Sequence, residues 1–177
     1  MLKGKAPWRP SLLFLYYNTR AIEGAVHIDR GAQIRNALKA SAEFGLCDER
    51  FMPFEPERFS VQPRPNAYGE ATQHQALVYE RCRLEHIRSC LADTIPVVFG
   101  ATIFENFEHN GPNIQMPVGS IVGGHAMLAV GYTSSVFIVR NSWGEAWGDH
   151  GYCYVPYDYM LNENLVSDTW AIYDTEL

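Results

Sequence analysis

The chain has 177 residues, 47% of them hydrophobic and 19% charged, with a formal net charge of −6. This balance supports a buried core and excludes a chain disordered by composition. The acidic charge argues against nucleic acid or an anionic membrane as a partner. The longest apolar run, residues 95–104, is broken by Pro96 and Gly100 and falls short of the roughly 18–20 apolar residues of a membrane span. No apolar signal core opens the chain, which therefore reads as cytoplasmic by default.

In chain order, Pro10 and Ser11 open a first helix over residues 11–20, with Ser11 as its cap. A second helix is expected over 32–44. Its apolar positions Ile34, Ala37 and Leu38 fall at three- and four-residue spacing, Ser41 and Phe44 continue that face, and Gly45 stops it. Residues 52–65 hold four prolines and read as an extended loop. A short strand at 77–81 and a helix over 84–92 follow. Beyond residue 95 the period becomes strand-like, with strands expected at 95–104, 126–132, 136–140, 151–156 and 169–173. A Gly/Pro-rich loop at 110–119 interrupts them. Helices first and antiparallel strands after give an α+β protein, with residues 1–92 mainly helical and 93–177 β-rich.

Four cysteines occur, at positions 47, 82, 90 and 153. They form no CxxC pair and no zinc-type spacing with histidine, so they are expected to be mostly buried free thiols. No metal or organic cofactor is implied.

The chemistry concentrates in one segment. Gly123-Gly124-His125-Ala126-Met127-Leu128 is followed by Val139-Arg140-Asn141-Ser142-Trp143-Gly144, and then by Trp147-Gly148-Asp149-His150-Gly151-Tyr152. A histidine at the head of one strand and an asparagine at the end of the next lie side by side in an antiparallel hairpin. The asparagine carbonyl can then hold one ring N–H of the imidazole and aim the other nitrogen at a nucleophile.

This segment closely resembles the C-terminal half of the papain-like cysteine peptidases. Leu13-Phe14-Leu15-Tyr16-Tyr17-Asn18-Thr19-Arg20, Gly31-Ala32-Gln33-Ile34-Arg35, Pro96-Val97-Val98-Phe99-Gly100 and Pro156-Tyr157-Asp158-Tyr159 extend the likeness to a bacterial branch of that family. The resemblance implies a two-lobed papain-like fold acting on a peptide or protein substrate. It gives His125 the role of catalytic base and Asn141 that of the residue orienting it. Trp143 would shield their hydrogen bond. Gly123 and Gly124 would line the cleft, and Gly31, Ala32 and Gln33 would form the edge that pairs with extended substrate. Arg30 stands where many members carry a second glycine. Gly31 reads equally well as the turn before the second helix, and Trp147 as a core aromatic. His27, His74, His86, His109 and His150 read as surface or capping histidines.

The nucleophile is the gap in this pattern. The family's cysteine stands about 130–150 residues before its His and Asn, which here falls about 5 to 10 residues ahead of Met1. Cys47 is flanked by Asp48 and Glu49, which raise a thiol pKa rather than lower it, and Cys82, Cys90 and Cys153 have no motif support. The expectation is an N-terminally truncated domain, with residues 1–5 the last turn of the cysteine-bearing helix. Such a chain is inactive as it stands, and either poorly stable or self-associating to cover the apolar surface left behind. A non-catalytic peptide-binding module and acyl transfer by the intact parent are the alternatives.

Overall fold

A computed structural model describes residues 8–75, 78–109 and 111–173. Residues 1–5, read above as the end of a helix, lie outside that set. The chain forms two compact units that divide between Val78 and Tyr79. The fold is α+β, as the element pattern predicts.

In the first unit, α1 (Leu12–Ile22) starts where the sequence places it. The Phe14 N–H donates to the Ser11 hydroxyl at 3.1 Å, satisfying a helix-terminal donor, and that hydroxyl donates to the Met52 carbonyl at 2.6 Å. Helix α2 (Ile34–Phe44) begins two residues later than expected, because Gln33 is extended and its N–H donates to the Glu23 carboxylate at 2.9 Å. The loop expected at 52–65 is more structured than the prolines suggested. A 3-10 turn spans Pro56–Arg58, and α3 (Pro65–Ala71) opens at Pro65. Proline at a first helical position removes a donor that has no partner there anyway, so both prolines start elements instead of breaking them. Ala67 and Ala71, four residues apart, put one face of α3 into the core beside Leu13, Phe14, Cys47 and Met52. His74 is half-buried and not a surface residue. Its ring lies 4.6 Å from that of Trp8, and its Nε2 is 3.5 Å from the Glu70 carboxylate.

Arg20 is fully buried in this unit. Its guanidinium donates to the carbonyl of Val26 at 2.7 Å and to that of Phe59, and it stacks 3.9 Å above the Tyr16 ring centre. Among the described residues it meets no carboxylate.

The second unit is a six-stranded sheet in the order β1-β6-β2-β3-β4-β5. The strands are β1 (Val78–Arg81), β2 (Val97–Phe104), β3 (Ile121–Tyr132), β4 (Val136–Arg140), β5 (Tyr152–Pro156) and β6 (Val166–Tyr173). Buried and half-buried residues alternate along β2, as expected of a strand with one face on the core. Val97, Phe99, Ala101 and Ile103 form that face, joined by Met127, Ala129, Phe137, Val139, Cys153 and Val155 from neighbouring strands. Helix α4 (Ile87–Ala92), entered through a 3-10 turn at Leu84–His86, adds Ile87 and Leu91. These two core residues, four apart, place residues 79–92 with the sheet and not with the preceding helices. The short α5 (Tyr157–Met160) was not legible in the sequence; it supplies Tyr159 and Met160 to the same core.

One irregularity positions the site. Strand β3 has twelve residues and β4 only five. Their pairing begins at Leu128 opposite Arg140, so residues 121–127 run past the end of β4. On the other side β2 holds them in register, with Ala101 opposite His125 and Thr102 opposite Gly124.

Candidate active site

His125 sits inside β3, not at its head as the hairpin reading assumed, because Gly123 and Gly124 continue the ladder with β2. Its side chain projects on the same face as Met127 and Ala129, by the two-residue period of the strand. Asn141 follows the last residue of β4 and is 8% exposed. The two side chains meet at 2.7 Å, His125 Nε2 to Asn141 Oδ1.

A second contact settles which way that bond runs. The Ser142 backbone N–H donates to the same Asn141 Oδ1 atom at 2.7 Å. An atom that accepts from a backbone amide is the carbonyl oxygen of the side chain, not its NH2 group. His125 Nε2 must therefore be the donor. The neutral ring carries its proton on Nε2, and Nδ1 is the basic nitrogen. Ser142 lies in the quoted motif, yet the sequence assigned it no role.

The loop after Asn141 holds that geometry. The Asn141 N–H donates to the Gly151 carbonyl at 2.9 Å, and the Gly151 N–H to the Trp147 carbonyl at 2.8 Å. Gly148 has φ +61, and a Cβ there would stand 2.3 Å from the Tyr152 carbonyl oxygen. Glycine is thus a steric requirement of the tight return, which explains the Trp-Gly-x-x-Gly spacing.

Aromatic rings cover the pair. The Trp143 indole stacks on the His125 ring at 4.9 Å with 28° between planes. Trp143 stands edge-on to Trp147 at 5.0 Å, and Phe107 lies parallel to Trp147 at 6.2 Å. Trp147 is a packing aromatic that supports Trp143. Phe107 was missed; it is a lone buried aromatic between the strand expected at 95–104 and the loop at 110–119, in a polar stretch with no period to mark it.

None of the four thiols is hydrogen-bonded to His125 among the described residues. Burial, with help from the Glu70 carboxylate, pushes the Cys47 thiol up to about 11. Burial also drives Cys153 up to about 12. Cys82 reaches about 12, from burial and its contact with Cys90. These three are thiols at neutral pH, the opposite of what a nucleophile needs. No three His, Cys, Asp or Glu side chains group to hold a metal ion among the described residues.

Gly31, Ala32 and Gln33 are exposed and lie in the first unit, ahead of α2. Gly31 has φ +78, and its N–H donates to the Tyr16 hydroxyl at 3.2 Å. A Cβ built on Gly31, Gly123 or Gly124 meets nothing within 4 Å.

The papain family cysteine protease profile matches residues 29–169. The chain belongs to the papain family of cysteine proteases. It is 40% identical over 181 residues to an uncharacterized peptidase C1-like protein of Acanthamoeba polyphaga mimivirus, covering 92% of this chain and 58% of that one. Peptidase 1 of Dermatophagoides pteronyssinus is 35% identical over 137 residues, covering 72% of this chain and 42% of its own length. The chain thus spans about half the length of these papain-family relatives. Among solved structures, xylellain, a cysteine protease from Xylella fastidiosa, superposes with a TM-score of 0.88 at 35% identity, over 96% of this chain and 72% of that one.

Proposed function

We propose that this chain is the C-terminal part of a papain-like cysteine endopeptidase of the bacterial type. In this reading His125 is the base, Asn141 its orienting partner and Trp143 the shield over their bond. None of the four cysteines of this chain serves as the nucleophile. The observation that carries the reading is the Asn141 carbonyl, fixed by the Ser142 amide, holding Nε2–H of His125 and leaving Nδ1 as the base.

The chemistry follows from that geometry. Nδ1 takes the proton of a cysteine thiol, and the thiolate attacks a peptide carbonyl. The same nitrogen then protonates the departing amine and later activates the water that releases the acyl group. The open space at Gly123 and Gly124 in the second unit suits the close approach of a substrate backbone, and so, separately, does that at Gly31 in the first. Ala32 and Gln33 belong to the same exposed edge.

As it stands, the 177-residue chain is expected to hydrolyse no peptide. The test is turnover of a fluorogenic peptide by the purified chain, before and after alkylation. Cleavage abolished by the alkylator would place the nucleophile among the four cysteines and overturn the proposal. Peptide binding without cleavage, indifferent to His125→Ala, would favour the binding-module alternative.

A further inference from the structure

Outside the histidine site, two cysteines with no assigned role face each other in the second unit. Cys82 follows the edge strand β1, and Cys90 sits in the last turn of α4. Their sulfurs are 3.7 Å apart, and both are free thiols. A disulfide requires about 2.05 Å, so the sulfurs must close by about 1.7 Å. Both ends are anchored. The Cys82 N–H donates to the Thr169 carbonyl at 3.0 Å, and the Thr169 hydroxyl returns a bond to the Cys82 carbonyl. Ile87 and Leu91 fix α4 in the core on either side of Cys90. Between them the chain from Arg83 to His86 is exposed or half-buried and can yield.

The two sulfurs differ in access. Cys82 is 5% exposed, whereas Cys90 is half-buried. Cys82 also lines an open cavity of about 590 Å³ with Arg81, Arg83, Ser167 and Thr169, which gives a small reagent room beside the pair.

We propose that Cys82 and Cys90 form a modification site for low-molecular-weight disulfides, Cys90 being attacked first and Cys82 resolving it into an intramolecular disulfide. The Cys90 thiolate attacks one sulfur of the small disulfide, whose S–S bond breaks and whose other half leaves as a thiol. Cys82 then gives up its proton, attacks the Cys90 sulfur and displaces the second small thiol. Two protein thiols are oxidised, and one small disulfide is reduced to two thiols. The result ties the end of the sheet's edge strand to α4. The burial that keeps the Cys82 thiol protonated makes the second step the slow one.

The experiment equilibrates the purified chain with oxidised glutathione, alkylates the remaining thiols and digests with trypsin. Cleavage after Arg81, Arg83 and Arg88 leaves the two cysteines on separate peptides. The expected product is those two peptides joined by a disulfide, with Cys47 and Cys153 alkylated after unfolding and all four thiols recovered on reduction. Oxidised chain should melt about 5–10 °C above reduced chain, for so short a closed loop. Cys82→Ser should stop at one glutathione on Cys90. If wild-type Cys90 stays as a mixed disulfide, if the pair remains alkylatable, or if the bond forms between chains, the proposal is wrong.

Discussion

Replacing Arg20 by Met should lower the stability of the chain by about 2–4 kcal/mol, one of the largest losses available from a single side chain here. The guanidinium is fully buried, yet it faces carbonyls and not a carboxylate. Its work is to gather backbone. Val26 lies six residues on in the turn after α1, and Phe59 lies 39 residues on beyond the 3-10 turn. Met keeps the volume but removes every donor, so those carbonyls lose their partner, and the cation no longer stacks on Tyr16. Lysine restores the charge but not the planar fork, and should recover only a minor part. A thermal or urea melt checks this; a change below about 0.5 kcal/mol would mean the carbonyls find water without difficulty.

The second large effect is at Gly45. Alanine there should cost about 3–5 kcal/mol. The residue has φ +77, and the added Cβ would lie 1.9 Å from the Ala71 carbonyl oxygen. That oxygen belongs to backbone, at the end of α3, whose Ala67 and Ala71 are fully buried. It cannot step aside without moving the core. Gly69→Ala supplies the contrast. It is an exposed position within α3 with ordinary φ and nothing within 4 Å of the new Cβ. Alanine should stabilise the helix there by about 0.5–1 kcal/mol. Equal effects at the two positions would show that helix propensity, not the contact with Ala71, decides the matter.

What could be read from the sequence was local. Ser11 marked the start of α1, an apolar run rich in β-branched and aromatic residues marked β2, and β4 was placed at its observed ends, because caps and composition act over a few residues. Pro56 and Pro65 misled, since a proline both ends and begins helices and only its neighbours decide which. The placement of His125 also slipped. The strand was expected from residue 126, just after His125, but the ladder with β2 also pairs the backbone of Gly123 and Gly124. His74 was taken for a surface or capping histidine because Trp8 lies 66 positions away in the chain and its approach could not be foreseen. The same holds for the Arg20 carbonyls. At the candidate site, residue types and spacing pointed to His125 and Asn141, and the resemblance to papain-like peptidases added Trp143. The direction of the hydrogen bond, ring N–H to asparagine carbonyl, was also legible; which ring nitrogen is held was not, and the contact of Nε2 with an Oδ1 fixed by the Ser142 amide supplies it.

The Nε2–H tautomer of His125 is directly observable. Nitrogen NMR of the His125 ring at a pH where it is neutral reads it directly. An Nε2–H tautomer, with bare Nδ1, is expected in the wild-type chain, and Asn141→Ala should release the ring to a mixture of tautomers. A wild-type ring protonated on Nδ1 would contradict the assignment, because the nitrogen required as the base would already be occupied.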